Sequence, residues 1–522
     1  MPGAPDAPDA PDARSTAILF RREGASMNGA RIAVVGGSMA GLMSALAFAR
    51  SGAEVVLLDR DHMAARAPLD GGMEAPIDAG WRKGVPQARH THALAALGRE
   101  VFRARMPDVW AALLESGAIE MPFGGRLDET AVVPRCGDAD LFGLSARRSL
   151  VEDVLRRIVL AERNITVREH VVATGLLAGP GAVPVIEGVR TSQGEVRADL
   201  TIDALGRASP VGKWLGGLGA RTPEETVEPC GLIYLTRWYR IRRRPAVPLN
   251  AGFSAGGYGA SSGCIACLAD NGYVSITMMT PHGDTALYPL AEAPAFTEAA
   301  RLHPGMSAWL APGVCEPVSA VLRWPGCENR FRRFVVAGEP IALGLIGVGD
   351  SLCATNPTYT RGISLAARHA FGVADIVRAE GTGDLRRLAI RADDLAQRAL
   401  RPWFEDSAAQ DRVRNVLWTG APRPHTPHGD ITLQQIALAS RHDDVVWHAL
   451  ARRAGMLEAP DAIFARTDVL DRVRSVLARH PAPPPSGPSR DDLLQVIEAR
   501  QGLQAQARSL SDSLSDLHSD PC

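Results

Sequence analysis

Residues 34–42 read VVGGSMAGL, a glycine-rich turn between an apolar strand at 31–35 and an Ala/Leu-rich helix at about 40–50. Few local patterns limit a fold more tightly. A strand that ends in glycines and restarts at once as a helix leaves unpaired helix N–H groups at the strand's carboxyl end. Ser51-Gly52 closes the helix, and a second apolar run, EVVLLD, occupies 54–59. The three pieces read as a βαβ unit. Within it Gly36 makes the tight turn, and Gly41 lets the helix pack on the strand. Ser38 holds the position of closest approach to a phosphate, where a small side chain still fits and its hydroxyl is placed to donate. Asp59 ends the second strand 23 residues beyond Gly36, where an acid accepts hydrogen bonds from ribose hydroxyls. Gly37, Ala40 and Arg60 belong to the same candidate site. The pattern is that of an adenine-dinucleotide site, shared by NAD and FAD.

The rest of the chain narrows the class. At 522 residues it is long enough for two or three domains. An apolar fraction of 46% and a charged fraction of 22% are those of a soluble globular protein. The formal net charge of −1 gives no reason to expect a nucleic-acid or anionic-membrane partner. Only Lys83 and Lys213 are lysines; the preference for arginine reads as a GC-rich genome. Eight scattered cysteines in a chain this long are not a disulfide framework, so a reducing cytoplasm is expected. Cys264-Ile-Ala-Cys267 has redox or zinc spacing, but no second CxxC or histidine pair accompanies it; it reads as two small residues in a strand, and no metal is expected. No signal peptide is visible and no run of 18 apolar residues exists, since the most apolar stretch, 334–348, is broken by Glu339 and Pro340.

Residues 1–26 carry the repeat APDAPDAPDA and no apolar periodicity, and are expected to be disordered. Met27 precedes the first convincing strand and is a candidate true start, which a native terminus at residue 1 or 2 would contradict. A dinucleotide domain is expected over 27–230, with excursions into a substrate domain near 85–145. It holds an amphipathic helix near 146–161, with Leu150, Val154, Leu155 and Ile158 on one face, and a hairpin signal at 192–194. A Gly-rich, aromatic-bearing antiparallel sheet over 231–330 covers a pocket, and 331–385 returns to the first domain. A helical region at 386–479 follows, and 480–522 holds a Pro-rich linker, one more helix and a polar tail.

A second motif chooses between the nucleotides. Residues 347–366 read GVGDSLCATNPTYTRGISLA: Asp350 closes an apolar strand, Asn356-Pro357 follows, and Gly362-Ile363 opens an Ala/Leu-rich helix. With it stand DALGRAS at 203–209 and RSLVE at 148–152. In this order the segments resemble the flavoprotein monooxygenases of the single-component aromatic-hydroxylase and epoxidase type, in their bacterial, actinobacterial form. The resemblance covers about 31–385 and continues loosely into RPWFED at 401–406. It implies an α/β fold: a Rossmann-like FAD-binding domain, an inserted antiparallel-sheet substrate domain and a C-terminal helical extension. It implies that Asp350 and Pro357 contact the FAD ribityl and pyrophosphate region, and that Gly362 and Ile363 aim a helix N-terminus at the flavin N1/C2=O edge, where reduced flavin carries negative charge. It likewise implies cofactor contacts for Arg148 and Asp203. Read locally, Arg148 can equally pair with Glu152 one turn on, and Asp203 can cap a turn.

The resemblance further implies an oxidoreductase in which FAD, reduced by NAD(P)H, meets O2 and forms a C4a-hydroperoxide that hydroxylates or epoxidises an apolar or aromatic small molecule, in secondary metabolism or aromatic catabolism. VPQARHTH at 85–92 is similar to a segment of the actinobacterial members, and His90 and His92 are candidate active-site residues; packing and capping roles stand beside that reading. Thr360 stands where the family has glycine after the aromatic of Asn-Pro-x-Tyr, and a β-branched residue resists φ > 0, so the loop is expected to turn differently over the flavin. Three alternatives remain. A flavin-dependent halogenase would carry Trp-x-Trp-x-Ile-Pro and an active-site lysine, which these lysine positions do not match. A prenyl-reductase-type oxidoreductase would turn over without incorporating oxygen, and a non-catalytic flavin-binding protein would not turn over at all. Substrate and oligomeric state are left open.

Overall fold

Strands Arg31–Val35 (β1), Glu54–Leu58 (β2), Ile165–Arg168, Leu200–Asp203 and Leu345–Gly347 form one parallel sheet in a computed structural model of the chain. The structure describes residues 27–63, 82, 85–123, 138–179, 181, 183–245, 247, 249, 254–420, 431–481 and 486–517. Segment 1–26, Lys83 and the last residues of the polar tail lie outside them. Across the sheet the strand order is Leu345–Gly347, Leu200–Asp203, β1, β2, Ile165–Arg168. Both faces are covered, as parallel strands require. Ile32 and Val34 point into a core shared with helices, whereas Ala33 and Val35 point into a second core under the meander of Ala173–Ala178, Ile186–Thr191 and Gly194–Arg197.

The register brings the carboxyl ends of four strands level. Val35 pairs with Leu58 and with Asp203, and Asp203 pairs with Gly347. The glycine turn, Asp59, the 204–207 turn and Gly349-Asp350 therefore all leave one edge of the sheet, where ligands bind in open α/β folds. Helix Met39–Ala49 (α1) and helix Gly362–Glu380 lie side by side in the main core, and a Cβ on Gly349 would reach both, 2.5 Å from the Ala40 Cβ and 3.7 Å from the Ala366 Cβ.

The second layer is antiparallel. Strands Ser254–Tyr258, Gly263–Leu268, Tyr273–Pro281, Leu232–Ile241 and Cys315–Pro317 pair in that order, with Leu322–Trp324 also on Leu232–Ile241. Cys264 and Cys267 sit in one of these strands, as their spacing without other ligands predicts. Helices Leu385–Ala399, Arg401–Thr419, Leu433–Ala439, Asp444–Ala454 and Thr467–Arg479 make the C-terminal region. The last helix, Arg490–Leu517, departs from the expected polar tail in two ways. It runs through Leu517, since no Pro interrupts it, and it returns to the antiparallel sheet, where Leu493 and Ile497 join the core with Phe296 and Trp309. Among the described residues no helix is long and apolar enough to cross a membrane.

Candidate functional site

One cavity lies outside the carboxyl ends of the parallel strands, with the antiparallel sheet as its far wall. Two helices aim their first turns into it. Ser38 and Ala40 line it at the start of α1, and Arg361, Gly362 and Ile363 line it at the start of Gly362–Glu380. Neither N-cap residue, Ser38 or Arg361, makes a side-chain capping hydrogen bond. Uncapped N–H groups and the positive ends of two helix dipoles therefore face a single space, an arrangement that receives anionic groups. A Cβ on Gly362 or Gly206 would meet nothing within 4 Å, so both backbones are open to the cavity.

The predicted residues divide between wall and frame. Ser38, Ala40, His90, His92, Arg148, Asp350, Pro357, Gly362 and Ile363 line the cavity; Gly36, Gly37, Gly41, Asp59, Arg60 and Asp203 do not. Gly36 and Gly41 act through packing: a Cβ on Gly36 would meet the Ala204 carbonyl oxygen at 2.5 Å, and one on Gly41 would meet the Gly36 carbonyl oxygen at 1.7 Å. Arg60 is exposed to solvent. The Asp203 carboxylate accepts from the Leu205 N–H at 3.0 Å and the Ser209 hydroxyl at 2.6 Å, so it holds the 204–207 turn whose own residues reach the cavity. Burial pushes its pKa up to about 6.

Around the start of α1 lies a buried charge cluster that sequence spacing does not show. Arg148 donates to the Ser38 hydroxyl at 2.7 Å and pairs with Glu152 at 3.1 Å; Arg156 reaches Glu152 at 2.9 Å, and Arg82 lies 3.3 Å from Asp59 and 3.6 Å from Glu152. Both local alternatives for Arg148, a helix partner and a cavity contact, thus hold at once. Burial opposes the charge on Glu152, but Arg148, Arg82 and Arg156 outweigh it and hold the pKa down at about 2. The Ser38 hydroxyl donates to Glu152 at 2.7 Å rather than standing free for a phosphate, because the carboxylate is the stronger nearby acceptor. Asp59 accepts from the Gly37 N–H at 2.5 Å and the Asp61 N–H at 2.7 Å, besides its pairing with Arg82. Arg82 also lies 3.9 Å from Asp61, so three guanidiniums meet three carboxylates, and of the three arginines Arg148 lines the cavity. Arg82 Nε has no partner among the described residues. An open helix N-terminus with Arg148 beside it is chemically suited to an anionic group such as a dinucleotide's diphosphate.

The Thr360 loop corrects the sequence expectation. Thr360 adopts φ 59°, ψ 30°, the left-handed conformation a glycine would take, so the loop turns the same way. Two anchors enforce that strain. Asn356 caps the turn before it, accepting from the Thr358 N–H at 3.0 Å. Arg361, after it, turns away into helix Arg401–Thr419, donating to the Ser407 hydroxyl at 2.6 Å and the Trp403 carbonyl at 3.0 Å and pairing with Asp406.

Beyond Gly362 the cavity continues to Tyr234, Thr236, Thr277 and Trp324 of the antiparallel sheet. His90 Nδ1 meets the Thr236 hydroxyl at 3.0 Å, Thr236 meets Thr277 at 2.9 Å, and the His90 ring lies 5.4 Å from that of Trp324. His90 is in extended backbone after the short Pro86–Arg89 turn, and His92 Nδ1 meets the His90 carbonyl at 2.9 Å. Burial, with Arg89 nearby, lowers the His90 pKa to about 4; burial, with Arg148 nearby, lowers that of His92 to about 3. Both rings are neutral near pH 7.

No family model matches the chain. It is 24% identical over 454 residues to Protein Rv3254 of Mycobacterium tuberculosis (strain ATCC 25618 / H37Rv), covering 82% of this chain and 89% of that protein. Among solved structures it is similar to the OxyS anhydrotetracycline hydroxylase of Streptomyces rimosus, with a TM-score of 0.54 at 14% identity over 82% of this chain and 76% of that one. It has the fold of the FAD-dependent aromatic-hydroxylase superfamily. Two further structures show how many reactions that fold carries. CmlS, a flavin-dependent halogenase, matches with a TM-score of 0.54 at 14% identity, over 86% of this chain and 76% of its own. PyrE3, a Diels-Alderase of pyrroindomycin biosynthesis, matches with a TM-score of 0.54 at 17% identity, over 82% and 80%. Reaction must therefore be argued from the site.

The buried imidazoles carry a stability prediction. Burial holds His90, His303 and His369 at about 4 and His92 at about 3, below their ordinary 6.5. Between pH 6.5 and about 4 the unfolded chain binds more protons than the folded one, so stability falls as pH falls. Asp203, raised from 3.8 to about 6, acts in the opposite sense across that window, and so does Asp393, which burial also raises, two groups against four. Urea midpoints are expected to drop steadily from pH 7 to pH 4; a level profile would contradict neutral burial of these rings.

Proposed function

We propose that this chain is an FAD-dependent monooxygenase that uses NAD(P)H and O2 to hydroxylate or epoxidise an apolar or aromatic small molecule. The observation that carries the reading is the meeting of two uncapped helix N-termini, with Arg148 on the wall beside the first, in one cavity that continues into an aromatic-walled pocket. When bound, FAD supplies the electron transfer between nicotinamide and O2 that oxygenation needs. The chain's residues bind, orient and exclude water. The α1 N-terminus at Ser38–Ala40, beside Gly36, Gly37 and Gly41, would hold the diphosphate with Arg148, and Asp59, shared with Arg82, would meet the ribose at the adenosine end. Asp350 and Pro357 would hold the ribityl side, the Gly362 and Ile363 N–H groups would stabilise negative charge at the flavin edge, and Asp203 would act by fixing the 204–207 turn. Tyr234, Thr236 and Trp324 would seat the substrate, and His90, neutral and held by Thr236, can hold or pass one proton there. Among the described residues no lysine lines the cavity, and Lys213 is exposed, which favours an oxygenase over a halogenase.

Purified protein is expected to be yellow, with about one FAD per chain, and to consume NAD(P)H and O2; label from isotopic O2 should appear in product. A colourless protein that FAD cannot reconstitute would sink the reading. Bound FAD with no substrate-stimulated NAD(P)H oxidation across a broad panel would favour a flavin-binding protein without turnover. Arg148→Ala removes one charge-assisted contact of roughly 1.5–3 kcal/mol and should raise the Kd for FAD about tenfold to a hundredfold with the fold retained. An unchanged Kd would move the diphosphate elsewhere.

A further inference from the structure

Cys230 and Cys327 stand opposite one another where the antiparallel pair Glu224–Pro229 and Glu328–Arg333 extends by one step. Pro229 pairs with Glu328 in the ladder, and the Cys230 N–H donates to the Cys327 carbonyl at 3.0 Å. Opposite residues that share such a bond have Cα atoms about 5.5 Å apart, inside the span a disulfide needs. Both cysteines are free, and their thiols hydrogen-bond to each other. The two environments differ. Cys230 is fully buried, whereas Cys327 is partly exposed. The Cys230 hydrogen bond, ahead of the opposing effect of burial and helped by Arg207, holds the Cys327 thiol below its usual range. Donating to Cys327, and then burial, pushes Cys230 up. A partly exposed, thiolate-favouring cysteine backed by a buried thiol within bonding reach is the arrangement of an attacking and a resolving cysteine. Neither cysteine lines the cavity, but Cys327 packs on the cluster of Leu232, Tyr234 and Met279 together with Trp324, and Tyr234 and Trp324 line it.

We propose that Cys230 and Cys327 are a peroxide-reactive dithiol that closes to a disulfide beside the cavity. The Cys327 thiolate attacks hydrogen peroxide; the O–O bond breaks, the departing hydroxide takes up the thiol's proton and leaves as water, and Cys327 becomes a sulfenic acid, oxidised by two electrons. The Cys230 sulfur then attacks Cys327; the S–S bond forms, the S–O bond breaks, and the second water carries off the Cys230 proton. Two thiols and one peroxide thus give one disulfide and two waters. A local source of peroxide at reduced flavin rests on the proposed function; the pair itself does not. The remaining cysteines set the contrast, since burial pushes Cys267 up to about 12 and Cys315, also partly exposed, up to about 11.

The test uses the full chain, reduced, desalted and treated with stoichiometric hydrogen peroxide, read by intact mass and non-reducing peptide mapping. Loss of two hydrogens in a peptide joining residue 230 to 327, at a rate at least roughly tenfold above oxidation of Cys315, is the expected result. Cys230→Ser should halt at a Cys327 sulfenic acid that dimedone traps, and Cys327→Ser should leave Cys230 reduced. A different linkage, oxidation of Cys315 first, or no reaction where free cysteine is consumed would overturn the proposal. Because the peroxide is added, failure here leaves the flavin reading intact. Closure under added peroxide but not under NAD(P)H and O2 supports the pair and counts only against the flavin reading.

Discussion

Gly41→Ala is expected to abolish the folded dinucleotide domain, whereas Gly362→Ala is expected to leave the fold intact and weaken FAD binding. Both glycines belong to helix starts in the same cavity region, so substitution of one controls for the other. At Gly41 the added Cβ would lie 1.7 Å from the Gly36 carbonyl oxygen, an overlap with backbone that no rotamer relieves. Relief requires α1 to lift from β1, which exposes Leu42, Met43, Leu46 and Phe48, all fully buried. That cost is on the order of the whole 5–15 kcal/mol by which domains are stable. At Gly362 the same atom would meet nothing within 4 Å, so the helix forms as before and the methyl enters the space over its first turn. Soluble expression, thermal unfolding and FAD titration separate the two: loss of fold at 41, and a Kd raised by about tenfold or more with unchanged unfolding at 362. A folded Gly41→Ala protein would show that the turn is not packed as described. An unchanged FAD Kd for Gly362→Ala would remove the flavin from that helix.

What the sequence makes legible is backbone, and what it hides is side-chain partnership over distance. The VVGGSMAGL turn, the strand ending at Leu58, the 204–207 turn and Gly349-Asp350 are local signals, and the parallel register alone brings them to one edge. Partners across the fold leave no such period. Glu152 takes the Ser38 hydroxyl from 114 residues away, and Arg82 occupies Asp59 from beyond β2. Trp324 meets both His90 and Tyr234 only because the far sheet packs over the cavity. The Thr360-Arg361 departure shows the limit most clearly. Propensity weighs against a β-branched residue at φ > 0, and the compensation comes from the Asn356 cap and from the docking of a helix more than forty residues later, where Arg361 meets Ser407.

Asp411→Ala is the second large effect expected, and it tests that compensation directly. Asp411 belongs to helix Arg401–Thr419, is fully buried, and accepts from Asn329 at 2.7 Å, Asn356 at 2.7 Å, Tyr359 at 2.8 Å and Arg414 at 2.6 Å. Two of the donors, Asn356 and Tyr359, lie in the turn that leads to Thr360. Removing the carboxylate leaves the Arg414 guanidinium, 4% exposed, without its ion-pair partner, and breaking a buried pair from one side costs about 3–5 kcal/mol. The loop consequence goes further than the stability loss. Without Asp411 nothing in this set holds Asn356 against the helix, so the left-handed conformation of Thr360, a strain of about 1–3 kcal/mol, is left to the Arg361 anchor alone and a different loop is favoured. FAD affinity should therefore fall together with stability, although Asp411 does not line the cavity. Asp411→Asn separates the two contributions: it keeps an acceptor for Asn356 while removing the charge that Arg414 needs. The expected order is wild type, then Asn, then Ala in both urea midpoint and FAD affinity. An alanine variant that loses stability yet binds FAD as tightly as the wild type would show that the C-terminal helix supports the loop without positioning it.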